Sequence, residues 1–103
     1  MQFAYSVDST PTETRIRARG EIDMAVADRF AEAITAALTN GSPRVIVDLT
    51  DVTFLDSSGI RALLTANKVA AEHRRSLTVE NPAPMVHRVL EICGVLDLLS
   101  ENT

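Results

Sequence analysis

The sequence predicts an α/β fold in which a mixed, mostly parallel sheet of four to five strands is flanked by helices. Two observations lead to this class. Segments with strand or helix periodicity follow one another in the order strand, strand, helix, strand, helix, strand, helix. This alternation is typical of parallel strands joined by right-handed crossovers. The segment RVIVDL at residues 44–49 also has an uninterrupted apolar centre, as expected of a strand that is at least partly covered on both faces.

The first two strands are predicted to form a hairpin. Residues 2–8 alternate with a period of two, which is typical of a half-buried strand, and their predicted inward residues are Phe3, Tyr5 and Val7. After the turn signal at 9–12, residues 13–20 place Ile16 and Ala18 inward. The outward residues of this second strand are Arg15, Arg17 and Arg19. We interpret this row as a solvated face that discourages edge pairing rather than as a partner-binding patch.

The first crossover helix is predicted over residues 24–38, with Asp23 as its N-cap and Asn40-Gly41 as its stop. Its apolar positions recur at helical spacing. They are Val26, Phe30, Ala33, Ile34, Ala37 and Leu38. The strand that follows at 44–49 is predicted to lie at the centre of the sheet.

A second helix is expected after Asp56 and should end near the charged group at 72–75. Its predicted buried face consists of Ile60, Leu63, Leu64, Asn67 and Ala71. The next segment, residues 76–80, is predicted to be the last strand of the sheet, with Leu77 and Val79 inward.

A third helix is predicted to open at the proline-rich residues 81–84 and to be closed by Gly94. Its apolar residues are Met85, Val86, Val89, Leu90 and Cys93. The apolar tail at 95–99 is expected to dock on the rest of the domain.

Composition narrows the class of protein. The 103 residues predict a single domain, 1–103, with a net charge of −4 and a pI near 5.0, so the phosphates of nucleic acids should repel the chain. Cys93 is the only cysteine; it cannot form an intrachain disulfide and is expected to be a buried, inert thiol. Apolar stretches are far shorter than the roughly 20 residues of a membrane span, and a signal peptide pattern is missing. A cytoplasmic location is therefore expected.

The segment FLDSSGI at residues 54–60 is the most informative part of the chain, because an apolar strand stops there at Asp-Ser-Ser-Gly and a helix resumes at once. Ser57 is the expected N-cap, and Gly59 should leave the backbone open to an approaching group. Two interpretations stay open at this stage. Ser57 either only caps the helix, or it carries a phosphate that the helix N-terminus stabilises.

Catalysis and metal binding are poorly supported. A serine nucleophile would need His73 or His87 as its base, but both are expected on helices near polar or C-terminal positions, and the G-x-S-x-G elbow is absent. One cysteine and two scattered histidines provide no metal-ligand spacing, and Asp48, Asp51 and Asp56 do not form a calcium loop.

Several segments together resemble the STAS-domain anti-sigma factor antagonists. These are Gly20-Glu21-Ile22-Asp23, Val45-Ile46-Val47-Asp48-Leu49, the run from Val52 to Ile60, and Gly94-Val95-Leu96-Asp97-Leu98-Leu99. With the matching order of elements, the resemblance extends over nearly the whole chain. It implies a STAS-like fold and a small, non-enzymatic partner-switching protein that needs no cofactor or metal of its own.

In such proteins the unphosphorylated form binds an anti-sigma factor that is also a serine kinase, and a sigma factor is thereby released. Phosphorylation by this kinase, with ATP and magnesium, ends the interaction, and a metal-dependent serine phosphatase reverses it. The phosphorylated residue maps onto Ser57. The implied partner-binding residues are Asp23, Asp56, Ser57, Ser58, Gly59 and Arg61. Arg61, four residues after Ser57, could reach back towards Asp56 or a phosphate, but we expect it in solvent.

The resemblance leaves one alternative of another class. The same fold serves in anion transporters, stressosome-like assemblies and lipid-transport complexes, so the chain could be a non-switching adaptor subunit in which Ser57 is only a cap.

Overall fold

The computed structural model describes residues 2–40 and 42–99. Its elements are β1 (Ala4–Ser9), β2 (Thr14–Ile22), α1 (Ala27–Thr39), β3 (Arg44–Leu55), α2 (Ser57–Glu72), β4 (Ser76–Glu80), α3 (Pro84–Ile92) and α4 (Val95–Leu99). The strands are ordered β1, β2, β3, β4 across one sheet. β1 pairs antiparallel with β2, and the other two pairs are parallel. The predicted mixed, mostly parallel sheet is confirmed, with four strands in the described part of the chain.

One face of the sheet carries the main core. Ile16, Val47 and Val79 are register partners on β2, β3 and β4, and all three are buried. They belong to one apolar cluster with residues of α1 and α2, including Phe30 and Leu63. The inward registers predicted for β2 and β4 are therefore confirmed. β3 continues beyond residue 49 to Leu55, and its second half stays paired with β2 through two shifts of register.

Of the three residues predicted to face inward in the first strand, only Phe3, which immediately precedes β1, is buried. Phe3 packs edge-on against Phe30 of α1, with 6.1 Å between ring centroids. Tyr5 and Val7 are 44% and 49% exposed, so their assignment to the core is wrong. β1 is an edge strand, whereas α1 contacts β2 and β3. An open groove of about 500 Å³ lies between β1 and the small side chains of α1.

The three arginines of β2 share one face as predicted, but they differ in environment. Arg17 and Arg19 are exposed, whereas the side chain of Arg15 is only 25% exposed. The Arg15 guanidinium donates to Glu80 at 2.9 Å and lies 3.6 Å from Asp48, and the hydrogen bond to Glu80 raises its pKa. The row does not protect an edge, because β2 lies between β1 and β3. Arg15 instead pairs across the strands with Asp48 of β3 and Glu80 of β4.

The buried face of α2 is rotated from the predicted one. Ile60 and Leu63 are buried as expected, but Leu64 is 41% exposed and Ala71 is exposed. The rest of the buried face consists of Gly59, Ala62, Ala66 and Ala70. α2 contacts α1 and α4 as well as the sheet, and small buried side chains allow neighbouring helices to approach closely.

Asn40 is the C-cap of α1, and its backbone N–H donates to the Ala36 carbonyl. The other half of that predicted stop, Gly41, lies outside the described residues.

The C-terminal segments follow the prediction with two corrections. α3 ends before Gly94, whose positive φ of 75° reverses the chain. Cys93 stands at this corner and is exposed, so the predicted buried thiol is wrong. Met85 is also exposed, and the tail docks as α4.

Candidate functional site

The site is built where β2 and β3 end side by side. Ile22 and Leu55 are the last register partners of the two parallel strands, and the Asp56 N–H donates to the Ile22 carbonyl at 3.2 Å. Asp23 and Asp56 therefore leave the same edge of the sheet. This edge is where sites collect in open α/β sheets, and the predicted juxtaposition of the two strand ends is confirmed.

Asp56, rather than Ser57, is the N-cap of α2. Its backbone is extended, and its carboxylate Oδ1 accepts from the N–H groups of Ser58 at 2.9 Å and Gly59 at 3.3 Å. The Ser58 hydroxyl donates to the same oxygen. These contacts, led by the Ser58 hydroxyl, lower the pKa of Asp56 against an opposing effect of desolvation. The predicted cap at Ser57 is wrong because the carboxylate one residue earlier already occupies the free donors of the first turn.

The two serines consequently differ in chemical availability. Ser58 is half-buried, and its hydroxyl is engaged by Asp56. Ser57 is the first residue of α2 and is exposed, and its hydroxyl makes no hydrogen bond within the part of the chain that the structure describes. Of the two hydroxyls, only that of Ser57 is free to react with a group arriving from solvent.

Asp23 organises a turn ahead of α1. Its Oδ1 accepts from the Ala25 N–H at 3.0 Å, and its carbonyl accepts from the N–H groups of Val26 and Ala27 at 3.1 and 2.9 Å. α1 begins only at Ala27, with Val26 at the cap position. Asp23 is thus not the N-cap that the sequence predicted, because the extra turn at 24–26 separates it from the helix. The turn nevertheless holds Asp23 at the edge of the sheet.

Gly59 has a packing role. It is buried, and a Cβ added there would lie 2.5 Å from Cδ1 of Leu55 and 3.1 Å from Cγ2 of Ile22. Such distances are shorter than van der Waals contact, so a side chain at this position would have to displace Leu55 from its place in the core. The expectation that Gly59 leaves the backbone open to an approaching group is wrong, since its Cα faces the core.

A groove of about 390 Å³ separates the N-terminal halves of α1 and α2. Ser57, Ser58 and Arg61 line it from α2, and Asp28 lines it from α1. Met24, in the turn after Asp23, also borders the groove and is 82% exposed. The sequence did not single out Met24 or Asp28, because residue 24 was assigned to the helix. The available signal was Asp23 itself, because an aspartate ahead of a short loop often forms an Asx-turn before the helix begins.

The two histidines are not brought to the serines in any arrangement that suggests a catalytic pair. His73 is the C-cap of α2, about 24 Å along the helix axis from Ser57 at 1.5 Å per residue. Its Nδ1 lies 3.0 Å from the Val69 carbonyl. His87 belongs to α3. Among residues 2–40 and 42–99, no three His, Cys, Asp or Glu side chains cluster as a metal site would require.

The search for membrane segments in the same residues finds no helix with the length and apolar character needed to span a bilayer.

The fold and the strand-end site correspond to a known class. A family model described as "Mlab, STAS domain" matches residues 5–100, and the chain belongs to this STAS-domain family. Among curated proteins, the anti-sigma-B factor antagonist of Staphylococcus aureus is 24% identical over 87 residues, which cover 84% of this chain and 81% of that protein. The corresponding protein of Staphylococcus epidermidis is 23% identical over the same length.

Solved structures of anti-sigma factor antagonists share the fold of this chain. The anti-sigma factor antagonist SpoIIAA in its unphosphorylated form superposes with a TM-score of 0.81 at 24% identity, covering 97% of this chain and 89% of that one. An anti-sigma factor antagonist from Mycobacterium paratuberculosis gives 0.76 at 25% identity, with 91% and 80% covered. SpoIIAA of Bacillus in its phosphorylated form gives 0.73 at 22% identity, with 97% and 92% covered. This chain is therefore similar to anti-sigma factor antagonists in both sequence and fold.

Proposed function

We propose that this protein is an anti-sigma factor antagonist whose unphosphorylated form binds an anti-sigma factor with serine kinase activity and so releases a sigma factor. Phosphorylation of Ser57 ends this binding, and a metal-dependent serine phosphatase restores it. The chain acts as one non-enzymatic domain over residues 1–103, in the cytoplasm. The single observation that carries the proposal is the difference between the serines: the Ser57 hydroxyl is exposed and unengaged, whereas Asp56 holds the Ser58 hydroxyl.

The surface around Ser57 suits a docking partner. Asp23, Asp56, Ser58 and Arg61 present polar and charged groups there, and Met24 adds an exposed apolar side chain. Apolar anchors surrounded by polar groups are typical of interfaces in which a few residues carry the affinity. Gly59 contributes to this surface only through the packing of the first turn of α2.

The switch is electrostatic in this interpretation. A phosphate brings about two negative charges at neutral pH, and it would arrive beside the Asp56 carboxylate, whose pKa is already lowered by its hydrogen bonds. The backbone donors of Ser58 and Gly59 are committed to Asp56. The fold of α2 therefore does not need to change on phosphorylation; the charge of the docking surface does.

The test begins with a pull-down from the protein's own cells using unmodified chain and Ser57→Asp as matched baits. A protein captured by the first bait and lost from the second is the expected kinase. That kinase, purified, is then given ATP, magnesium and wild type, Ser57→Ala or Ser58→Ala. Transfer to wild type and Ser58→Ala, with none to Ser57→Ala, supports the proposal. Transfer that survives Ser57→Ala contradicts the assignment of Ser57.

A second candidate is a non-switching STAS adaptor subunit of a membrane transport or stressosome-like complex. The matching family model is described as "Mlab, STAS domain", a description that names no role in sigma factor control. Intact-mass measurement on the protein isolated from its own cells separates the two. A partial shift by the mass of one phosphate supports switching, and its absence across all growth conditions supports the adaptor.

A further inference from the structure

Arg61 is the only cationic side chain among the described residues that line the groove between α1 and α2. It is exposed, as is Ser57, and it follows Ser57 by four residues on α2. Helix residues at this spacing are neighbours on one face, with about 5–6 Å between their Cβ atoms. Within the described ranges, Arg61 makes no ion pair with Asp28 or any other carboxylate. Its guanidinium therefore has donors to spare beside the Ser57 hydroxyl.

The helix N-terminus itself offers little to an anion on Ser57. In many helices the free N–H groups of the first turn hold a bound phosphate. Here Oδ1 of Asp56 accepts from Ser58 and Gly59, which are the second and third residues of α2. A phosphate on Ser57 that approached these donors would also meet the Asp56 carboxylate. A protein group that pairs with this phosphate must therefore approach it from another direction.

We propose that Arg61 binds the phosphate carried by Ser57, through a bidentate ion pair that runs along the first turn of α2. The inference depends on the proposed function for the occurrence of the modification. A guanidinium presents paired N–H donors that match two phosphate oxygens. Asp28, on the α1 side of the groove, repels the phosphate and favours its orientation along α2.

The pairing gives phosphorylation a second effect. In the unmodified protein, the Arg61 guanidinium is available to an acidic group of a partner at this groove. In the phosphorylated protein, the phosphate holds the guanidinium. The modification therefore adds negative charge and withdraws the positive charge of the groove at the same time, without any change of fold.

The experiment places phosphoserine at position 57 during translation, by codon suppression, so that no kinase is needed. A ³¹P NMR titration then measures the second pKa of the phosphate, which is about 6 for a free phosphoserine. An adjacent cation favours the dianion, so this pKa should be lower by about half a unit to one unit in the phosphorylated wild type than in Arg61→Gln. The difference should shrink as salt is added.

Two variants sharpen the result. Lys68→Gln is the matched control, because Lys68 is also an exposed cation on α2 but lies about 16 Å along the helix axis from Ser57. Its removal should leave the pKa of the phosphate near that of wild type. Arg61→Lys should retain part of the shift, since a lysine supplies the charge without the paired donors. Circular dichroism checks that each variant is folded.

Equal pKa values for the phosphates of wild type and Arg61→Gln would overturn the inference, as would an equal shift in Lys68→Gln. The outcome is independent of the proposed switch. If the phosphate pKa depends on Arg61 but no cellular kinase modifies Ser57, the proposed function fails while the pairing stands. If the kinase modifies Ser57 but Arg61→Gln has no effect, the function stands and the pairing fails.

Discussion

Replacing Asp56 by alanine should destabilise the protein more than replacing either serine beside it. Oδ1 of Asp56 accepts from two backbone N–H groups and from the Ser58 hydroxyl, and alanine leaves these donors without that acceptor. Loss of an N-cap costs about 0.5–2 kcal/mol, and the extra hydroxyl contact places the expected loss for Asp56→Ala near the upper end, about 1.5–2 kcal/mol. For a domain of this size, that corresponds to a decrease in Tm of roughly 6–16 °C.

Ser57→Ala is the matched control. The side chain is exposed and is not the cap, so its free energy of unfolding should stay within about 0.5 kcal/mol of wild type. Both variants are measured by urea unfolding at pH 7 with a common slope. If Asp56→Ala were as stable as wild type while Ser57→Ala lost about 1 kcal/mol, the capping role would belong to Ser57 and the geometry described for Asp56 would be refuted.

The hydrogen bonds to Asp56 also predict how the stability of the protein changes with pH. The pKa of Asp56 is lowered in the folded protein, so its ionised form stabilises the fold fully above the unfolded pKa of about 4, and this contribution disappears as the pH falls through the lowered folded value. The difference between wild type and Asp56→Ala should therefore be largest at pH 5–7 and become smaller in acid. Asp56→Asn keeps the cap without the titration, so its stability should fall less steeply with acid than that of wild type.

Three further predictions concern packing and binding. Gly59→Ala should lower the free energy of unfolding by about 1–3 kcal/mol through overpacking, because the new Cβ would lie 2.5 Å from Leu55. The loss should be smaller in a Leu55→Ala background. Equal losses in the two backgrounds would contradict the clash. Ile46→Ala should lower the free energy of unfolding by about 2–5 kcal/mol in chemical denaturation, since Ile46 is 2% exposed; a loss below about 1 kcal/mol would show that the site repacks. Ser57→Asp should stay folded but bind the kinase roughly a hundredfold more weakly than wild type, because like charges meet at the docking surface. Titration calorimetry with ADP present measures both affinities. Equal affinities would show that Ser57 is not the switch.

Local patterns in the sequence were sufficient for the order and type of the elements. The period-two alternation of β2 placed Ile16 and Ala18 in the core, and the apolar centre of β3 identified a strand buried on both faces. The exit of β2 and β3 at one edge followed from the rule that parallel strands joined by a crossover end on the same side. The strand-to-helix junction that carries Ser57 was found in this way, before any contact was known.

Tertiary contacts decided which residue does what within these elements. A period of two cannot tell whether a strand lies at the edge, so Tyr5 and Val7 were assigned to the core although they line an open groove beside α1. A helical repeat cannot show how many neighbours a helix has, so the alanine face of α2 was missed.

The sequence by itself determined the mixed α/β fold and the place of the Asp-Ser-Ser-Gly junction at the edge of its sheet, because strand and helix periodicity are properties of neighbouring residues along the chain. Only the tertiary structure decided the roles of Asp56, Ser57 and Gly59 there. Any of several adjacent polar residues can cap a helix. The residue that becomes the cap depends on the direction in which the chain leaves β3. Here that direction turns Asp56 onto the free N–H groups, leaves Ser57 in solvent and presses Gly59 against Leu55.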